Sequence, residues 1–294
     1  MTDSNTYAFA LHGGAGVTPG RDYSAAEAHM RELALACERD SRAGAAALDI
    51  VTRAVEEMEK SGLYVAGRGS APNDVGYVEL DASIMDGATR QGGSIAAVRD
   101  VMLPIRAARA VMEKSEHVML TARGAERFCR QHGLEFVADP DSYYCLPVGV
   151  AEEDLATANR AHGTVGAVAL DPQGRLAAAT STGGIFGKSE GRLGDTPIIG
   201  AGTWADENVA VSCTGLGEAF ILAGGAQDVA SRVRYGSQPL EQAVEGLIAD
   251  VGARGGDGGV IAVNREGQIC MRWNSPGMKR AWCGSGEPVQ TGVG

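Results

Sequence analysis

The stretch His162-Gly163-Thr164-Val165-Gly166-Ala167-Val168-Ala169-Leu170-Asp171 marks an abrupt change in the character of the chain. Before it, residues from about 140 to 163 are rich in Pro, Asp, Ser, Tyr and Glu, which is typical of a flexible, solvated linker. From Thr164 onward, two apolar runs flank Asp171-Pro172-Gln173-Gly174, and this pattern predicts a β-hairpin. A linker therefore ends, and a strand begins, at Thr164.

Thr164 would become a new amino terminus if the chain cut itself before this residue. A threonine hydroxyl is a weak nucleophile at neutral pH and needs a base beside it. A free α-amine titrates near pH ~8 and would serve as that base within the same residue. Gly163 lacks a Cβ, so it tolerates a strained peptide that the hydroxyl can approach. Taken alone, a Gly-Thr pair is a common dipeptide and also fits an ordinary threonine that opens a strand.

Composition and charge exclude several functional classes. The chain has 294 residues, 44% of them hydrophobic and 21% charged, as in an ordinary globular protein of one large or two small domains. The net charge of −11 argues against nucleic acid and anionic membranes as partners. Glycine is abundant, with 42 residues in short clusters, which favours tight turns and backbone close to a ligand.

Cysteine usage and the terminal sequence predict a cytoplasmic location. The six cysteines have neither CxxC nor metal-ligand spacing, so we interpret them as reduced and mostly buried. The first residues lack the basic and apolar regions of a secretory signal. No run approaches ~18 uninterrupted apolar residues, so we expect no membrane span.

Hydrophobic periodicity predicts helices and strands in both halves of the chain. A capping box at Ser24-Ala25-Ala26-Glu27 is expected to open the first helix. The predicted helices cover about 24–38, 45–60, 103–115, 118–131, 217–226 and 240–251. The predicted strands cover about 7–11, 78–85, 94–98, 164–170, 175–181, 208–213, 259–263 and 268–272, the last two forming the final hairpin. This order favours a layered α/β sandwich that contains antiparallel sheets.

The turn His12-Gly13-Gly14-Ala15-Gly16 follows the first predicted strand. Its glycines superficially look like a phosphate-binding loop, but no Lys-Ser/Thr pair follows, so we reject nucleotide binding. An α-amine base makes a histidine base unnecessary. We therefore expect His12 to hold the glycine turn rather than to act in catalysis.

Several motifs occur in a fixed order around Thr164. They are His12 to Gly16, Gly67 to Ser70, Glu79 to Gly87, Gly163 to Asp171, Thr180 to Gly184, Gly191 to Pro197 and Ser212 to Glu218. Each motif is weak by itself, but the ordered set is specific. From about Ala8 to Gly217, with weaker similarity beyond, the chain resembles the plant-type asparaginase/isoaspartyl peptidase family of N-terminal-nucleophile (Ntn) hydrolases.

The resemblance implies an α+β fold, the four-layer αββα Ntn-hydrolase sandwich with antiparallel sheets, in one domain. It also implies self-cleavage between Gly163 and Thr164. The resulting α (1–163) and β (164–294) fragments would stay associated and assemble as an (αβ)2 particle. The implied reaction hydrolyses L-asparagine, or β-aspartyl dipeptides, to aspartate. No cofactor is implied beyond a structural sodium ion, held by main-chain carbonyls of the loop from about Met58 to Arg68.

The resemblance also assigns catalytic roles to individual residues. Thr164 is the implied nucleophile, which would carry a covalent acyl group, and the hydroxyl of Thr182 would orient it. Thr214 and Gly215 are the implied oxyanion hole, which supplies a hydroxyl and a backbone N–H. Losing one such donor typically costs ~2.7–4 kcal/mol in the transition state.

Substrate-binding roles follow from the same resemblance. Arg192 is the implied clamp for the substrate α-carboxylate, since a planar guanidinium matches two carboxylate oxygens. Asp195 is the implied partner of the α-ammonium group. Gly217 would add a carbonyl contact to that ammonium, and Gly215 would also lie against the substrate.

One departure from the family pattern lies before Ala66-Gly67. The family usually has an aromatic residue followed by asparagine here, whereas this chain has Tyr64-Val65. Valine offers no amide hydrogen bond. We therefore expect an altered pocket in which free L-asparagine is a poorer substrate than larger β-aspartyl amides, unless a main-chain or water contact replaces the amide.

Two alternatives remain open from the sequence. One keeps the mechanism but moves the substrate to another N-substituted asparagine amide, such as a glycosylated one. The other is an uncleaved, inactive homologue that acts as a binding protein. Val65 favours this last alternative, whereas the intact residues Thr164, Thr182, Arg192, Asp195 and Thr214 argue against it.

Overall fold

Two β-sheets packed face to face form the centre of the computed structural model, which describes residues 6–70, 72–151, 153 and 163–294. The helices are α1 (Ser24–Arg42), α2 (Ala47–Ser61), α3 (Pro104–Lys114), α4 (Ala122–Gln131), α5 (Pro140–Tyr143), α6 (Gly217–Leu222), α7 (Gly225–Arg234) and α8 (Leu240–Ala253). The strands are β1 (Ala8–His12), β2 (Leu80–Asp86), β3 (Gly92–Val98), β4 (Met119–Thr121), β5 (Val165–Leu170), β6 (Leu176–Thr182), β7 (Thr203–Ala205), β8 (Val209–Gly215), β9 (Gly258–Asn264), β10 (Ile269–Trp273), β11 (Arg280–Gly284) and β12 (Gln290–Gly292).

The larger sheet has the strand order β12-β11-β1-β5-β6-β2-β3-β4, and the smaller has the order β10-β9-β8-β7. All these pairs are antiparallel except β3 with β4. Helices α1 to α4 pack on the larger sheet, helices α6 to α8 pack on the smaller, and strands of the two sheets contact one another. The predicted four-layer αββα sandwich is thereby confirmed.

Strand β5 lies in the middle of the larger sheet, between β1 and β6. Alternate residues of β5 face different layers, as strand geometry requires. Val165, Ala167 and Ala169 pack in the core beneath the helices, whereas Val168 and Leu170 pack between the two sheets. A strand buried on both faces reads as a continuous apolar run. This burial explains the pattern after Thr164.

Three sequence predictions in the first half of the chain need correction. The predicted helix at 118–131 begins as strand β4 and becomes helical only at Ala122. The capping box does not form, because Tyr23 occupies the N-cap position and makes no side-chain cap. The N–H of Ser24 instead bonds to the carboxylate of Asp22 at 2.8 Å. The predicted linker starts with helix α5, and residues 154–162 of it lie outside the described residues.

Further corrections concern the second half. The predicted helix at 217–226 is two helices, α6 and α7, separated at Gly224, whose φ is 80°. Strand β7 was not predicted, and neither was helix α7 beyond its first residues. The hairpin of β9 and β10 is not the last one, because β11 and β12 follow and extend the larger sheet.

Two glycine-to-alanine substitutions should change the free energy of unfolding in opposite directions. A Cβ at Gly93 would collide with the carbonyl of Ala108 and lie 2.6 Å from the amide nitrogen of Met112, both on α3. Gly93→Ala should therefore destabilise the protein by about 1–3 kcal/mol. Gly124 lies inside α4 with open space around it. Gly124→Ala should stabilise by about 0.4–1 kcal/mol. Urea unfolding measures both, and equal effects would contradict this packing.

Candidate active site

Thr164 lies directly before β5 and is buried, with 4% of its surface exposed. Its hydroxyl donates to the hydroxyl of Thr182, at 3.3 Å between the two oxygens. Thr182 is the last residue of β6, and it donates to the carbonyl oxygen of Gly163 at 2.8 Å. The structure thus brings together three of the residues singled out in the sequence.

A hydroxyl has one proton to donate and two lone pairs that accept. Thr182 uses its proton on Gly163, so its lone pairs receive the hydroxyl of Thr164 and the N–H of Gly184, which lies 2.9 Å away. The hydrogen bond polarises the carbonyl that precedes Thr164. The same side chain therefore holds the hydroxyl and the peptide group that this hydroxyl would attack.

The glycine turn after β1 connects Thr164 with Thr214. Gly14 has a φ of 96°, and a Cβ there would lie 3.1 Å from the Cα of Gly163 and 3.2 Å from the nitrogen of Thr164. The next residue, Ala15, donates its N–H to the hydroxyl of Thr214 at 3.3 Å. Only a glycine allows this close approach of one backbone to another.

Thr214 and Gly215 end strand β8 and lead into α6. Gly215 has a φ of 144°, and a Cβ there would collide with the carbonyl of Asp257. A Cβ at Gly217 would lie 2.7 Å from the Cα of Gly194 and 2.9 Å from a carboxylate oxygen of Asp195. These glycines allow close backbone packing at the end of β8, and Gly217 brings the start of α6 against Asp195.

Arg192 binds the carboxylate of Glu218 with two nitrogens, Nε at 2.8 Å and Nη2 at 2.6 Å. The side chain of Arg192 is 17% exposed, whereas that of Glu218 is half exposed. Bidentate geometry is how a guanidinium recognises a carboxylate. The ion pair therefore shows that Arg192 presents an edge suited to a carboxylate. Glu218 ends the motif Ser212 to Glu218, but no role was predicted for it from the sequence.

Asp195 is almost fully buried, and its Oδ2 has no hydrogen-bond partner among the described residues. The pKa of this carboxyl is raised to about 7, mainly by burial and to a smaller extent by Glu218, whereas backbone hydrogen bonds and Arg192 oppose the rise. A buried polar atom without a partner is costly. The Oδ2 atom without a partner marks a position where a cationic group would be stabilised.

His12 is fully buried and contacts Thr164 through the backbone. Its Nδ1 lies 3.1 Å from the carbonyl oxygen of Thr164, and its Nε2 lies 2.9 Å from the hydroxyl of Ser212. Burial lowers the pKa of His12 to about 3, so the ring is neutral at neutral pH. Ser212 begins the motif Ser212 to Glu218, and nothing in the sequence indicated its contact with His12.

Val65 forms an apolar wall beside Gly163. Val65 and Phe186 are both buried, and the partly buried Val150 packs against them. A Cβ at Gly163 would lie 2.8 Å from Cγ2 of Val65. The position where the resembled family has an asparagine thus offers an apolar side chain directly beside the Gly163–Thr164 peptide.

Several main-chain oxygens of the loop from Met58 to Arg68 lie close to Gly67 and Gly69. A Cβ at Gly69 would collide with the carbonyl of Tyr64 and lie 3.0 Å from that of Gly62. A Cβ at Gly67 would lie 2.5 Å from the carbonyl of Glu59. Neutral oxygen ligands suit a hard cation such as sodium. The loop therefore carries oxygens of the type that a sodium ion prefers.

The described residues contain no group of three or more His, Cys, Asp or Glu side chains placed to hold a metal ion. In the same part of the chain, no helix is long and apolar enough to cross a membrane.

Comparison with known proteins extends the resemblance to the whole chain. A protein-family model described as asparaginase matches residues 5–293. An isoaspartyl peptidase of Salmonella typhimurium is 40% identical, over 98% of this chain and 99% of its own length. An isoaspartyl peptidase of Escherichia coli is also 40% identical, over 97% and 95%. A probable isoaspartyl peptidase/L-asparaginase of Arabidopsis thaliana is 38% identical, over 93% and 94%.

Replacing Asp195 should stabilise the protein more at pH 8 than at pH 5. A carboxyl with a pKa of about 7 in the folded state, above its ordinary value, makes folding less favourable as pH rises from about 4 to 7. Asp195→Asn removes this penalty. A shift of about three pKa units at ~1.36 kcal/mol each limits the gain to at most about 4 kcal/mol at pH 8.

Urea unfolding at both pH values measures this gain, with the exposed Asp141→Asn as the matched control. If Asp195→Asn raised the free energy of unfolding equally at pH 5 and pH 8, ionisation of the buried carboxyl would not destabilise the folded protein, and the prediction would be wrong.

Proposed function

Because the chain belongs to the asparaginase family, we propose that it is a threonine amide hydrolase that releases L-aspartate from β-aspartyl (isoaspartyl) peptides and from L-asparagine. The observation that carries the proposal is the arrangement of the Thr164 hydroxyl, the Thr182 hydroxyl and the Gly163 carbonyl in one buried group. Relatives at about 40% identity bear the name isoaspartyl peptidase, which supports this substrate class.

Self-cleavage would use the same groups. The hydroxyl oxygen of Thr164 attacks the carbonyl carbon of Gly163, and the hydroxyl of Thr182 stabilises the negative charge that develops on the carbonyl oxygen. The Gly163–Thr164 C–N bond breaks, the nitrogen takes up the proton that the Thr164 hydroxyl loses, and an ester joins Gly163 to the threonine oxygen. Water hydrolyses this ester and leaves fragments of 163 and 131 residues.

The released α-amine of Thr164 would act as the base in each turnover. It accepts the hydroxyl proton while the oxygen attacks the side-chain amide carbon of the substrate. Thr214 and Gly215 would stabilise the oxyanion. The protonated amine gives its proton to the leaving ammonia or amine, and water then hydrolyses the aspartyl ester on Thr164. The leaving group therefore departs neutral, as amide chemistry requires.

Arg192 and Asp195 would recognise the two charged groups of the substrate α-carbon. The guanidinium offers a carboxylate-binding edge, which Glu218 contacts in this structure. The unpartnered Oδ2 of Asp195 suits an ammonium group, whose arrival would complete its hydrogen bonding. Gly217 leaves the backbone open beside Asp195.

Two further features of the family belong to the proposal. A sodium ion at main-chain carbonyls of the loop from about Met58 to Arg68 would hold the loop that presents Val65. Two αβ units would assemble into an (αβ)2 particle. Neither feature takes part in a chemical step.

Intact mass spectrometry tests the proposed nucleophile. The native sequence should separate under denaturing conditions into two fragments that meet at Gly163–Thr164, whereas Thr164→Ala should stay a single chain, because alanine has no oxygen to attack. Thr164→Ser is the matched control and should still cleave. A native chain that stays whole after long incubation would favour an uncleaved binding protein instead.

Val65 should set substrate preference. In the native enzyme, kcat/KM should be lower for L-asparagine than for β-aspartyl dipeptides. Val65→Asn should raise the relative value for L-asparagine by about 10-fold, as expected for one added hydrogen bond of ~1.4 kcal/mol. Val65→Leu, which keeps the wall apolar, should not. Equal efficiency of the native enzyme on both substrates would contradict this role.

A further inference from the structure

A continuous series of close polar contacts crosses the space between the two sheets. It begins at the carbonyl of Thr164 and ends at the carbonyl of Thr196, next to Asp195. His12 lies 3.1 Å from the carbonyl oxygen of Thr164 through Nδ1 and 2.9 Å from the hydroxyl of Ser212 through Nε2. The hydroxyl of Ser212 lies 2.8 Å from that of Thr180, which lies 2.5 Å from that of Thr203. The hydroxyl of Ser83 lies 2.7 Å from that of Thr203 and 2.6 Å from the carbonyl oxygen of Thr196. All five side chains are fully buried.

The end of this series at Thr164 fixes the tautomer of His12. A carbonyl oxygen only accepts, so Nδ1 of His12 carries the proton and donates to Thr164. A neutral ring then has an unprotonated Nε2, which accepts from Ser212. Burial, with a smaller effect from Lys279, lowers the pKa of His12 to about 3 and keeps the ring neutral.

Gly166 shows that this contact is built into the strand. A Cβ at Gly166 would collide both with Nε2 of His12 and with the hydroxyl of Ser212. The strand therefore needs a glycine two residues after Thr164, and the apolar run of β5 is interrupted there. Gly166 is also the partner of His12 in the β1–β5 ladder.

Thr164 lies just outside that ladder. The pairing of β5 with β6 begins at Val165, and its pairing with β1 begins at Gly166. After cleavage, Thr164 would be a chain terminus whose side chain is held by Thr182 and whose peptide group is held by His12. With both of these fixed, no free rotation remains that could move the α-amine away from the hydroxyl.

We propose that His12 is a positioning residue for the nucleophile: its Nδ1–H holds the carbonyl of Thr164 and so fixes the residue that carries both the hydroxyl and, after cleavage, the α-amine base, while Ser212 donates to its Nε2. This inference rests on the proposed function, since it assigns the base to Thr164. It revises the sequence-based expectation that His12 only holds the glycine turn.

The tautomer of His12 can be measured on the native protein without any substitution. Two-bond 15N–1H NMR correlations distinguish Nδ1–H from Nε2–H, and contacts to Gly166 assign the ring. We expect the neutral Nδ1–H form from pH 5 to pH 9. An Nε2–H form would overturn the proposal whether or not the enzyme is active, because Nδ1 could not then donate to Thr164.

Two substitutions separate positioning from packing. His12→Asn places an amide N–H near Nδ1 and keeps the bond to Thr164, whereas His12→Gln places its amide near Nε2 and loses that bond. We expect His12→Asn to stay within about 10-fold of the native kcat. His12→Gln should lose about 100-fold, as for a misplaced reacting group, with KM changed less than 3-fold and self-cleavage slowed in parallel.

The exposed His132 supplies the control pair, His132→Asn and His132→Gln, which should leave both rates unchanged. Equal losses in the two His12 variants at equal Tm would indicate packing alone and overturn the proposal. A native enzyme that cleaves itself but hydrolyses no β-aspartyl substrate would refute the proposed function only, because the tautomer and self-cleavage would still report on His12.

Discussion

The pairing of β5 with β1 on one side and β6 on the other is the constraint on which the site depends. It places Thr164 at the end of a buried central strand, with the end of β6 supplying Thr182 and the end of β1 supplying His12. A hydroxyl, a carbonyl and a ring are thereby held to hydrogen-bonding distance by ladder register rather than by mobile loops. Reacting groups fixed in this way lose little entropy on the way to a transition state.

The space between the sheets is divided into two parts of different chemistry. One part is apolar, with Val168, Leu170, Ile261 and Val263 among its residues. The other contains the buried series of hydroxyls from Ser212 to Ser83, each with a partner. A buried polar network stabilises a unique arrangement only when its members are satisfied. Here each hydroxyl of the series has a partner, and the series ends at the carbonyl of Thr164, so the buried interior helps to hold Thr164 in place.

The part of the site around Asp195 and Arg192 shows a different property. Asp195 is buried with an oxygen unpaired among the described residues, and its raised pKa reflects that burial. Arg192 is paired with the half-exposed carboxylate of Glu218. The buried, unpaired carboxyl of Asp195 makes the protein less stable, whereas Arg192 already has a partner. Such conflicts between stability and function are expected where ligands bind.

Local sequence patterns predicted much of the fold. The apolar runs after Thr164 and the stripe of α2 follow periods of 2 and 3.6 residues, so they could be read directly. Strand β4 and most of helix α7 were missed. Strand β4 is short and exposed, and Gly224 separates α7 from α6, so neither element has a clear period.

The sequence by itself determined where a strand starts after a linker, which residue types carry the chemistry and which position departs from the family. Only the tertiary structure decided which of them touch. His12 meets Thr164 across 152 positions and Ser212 across 200, and Glu218 meets Arg192 across 26. Such contacts depend on strand register and on how the two sheets face each other, and local periodicity contains no information about either.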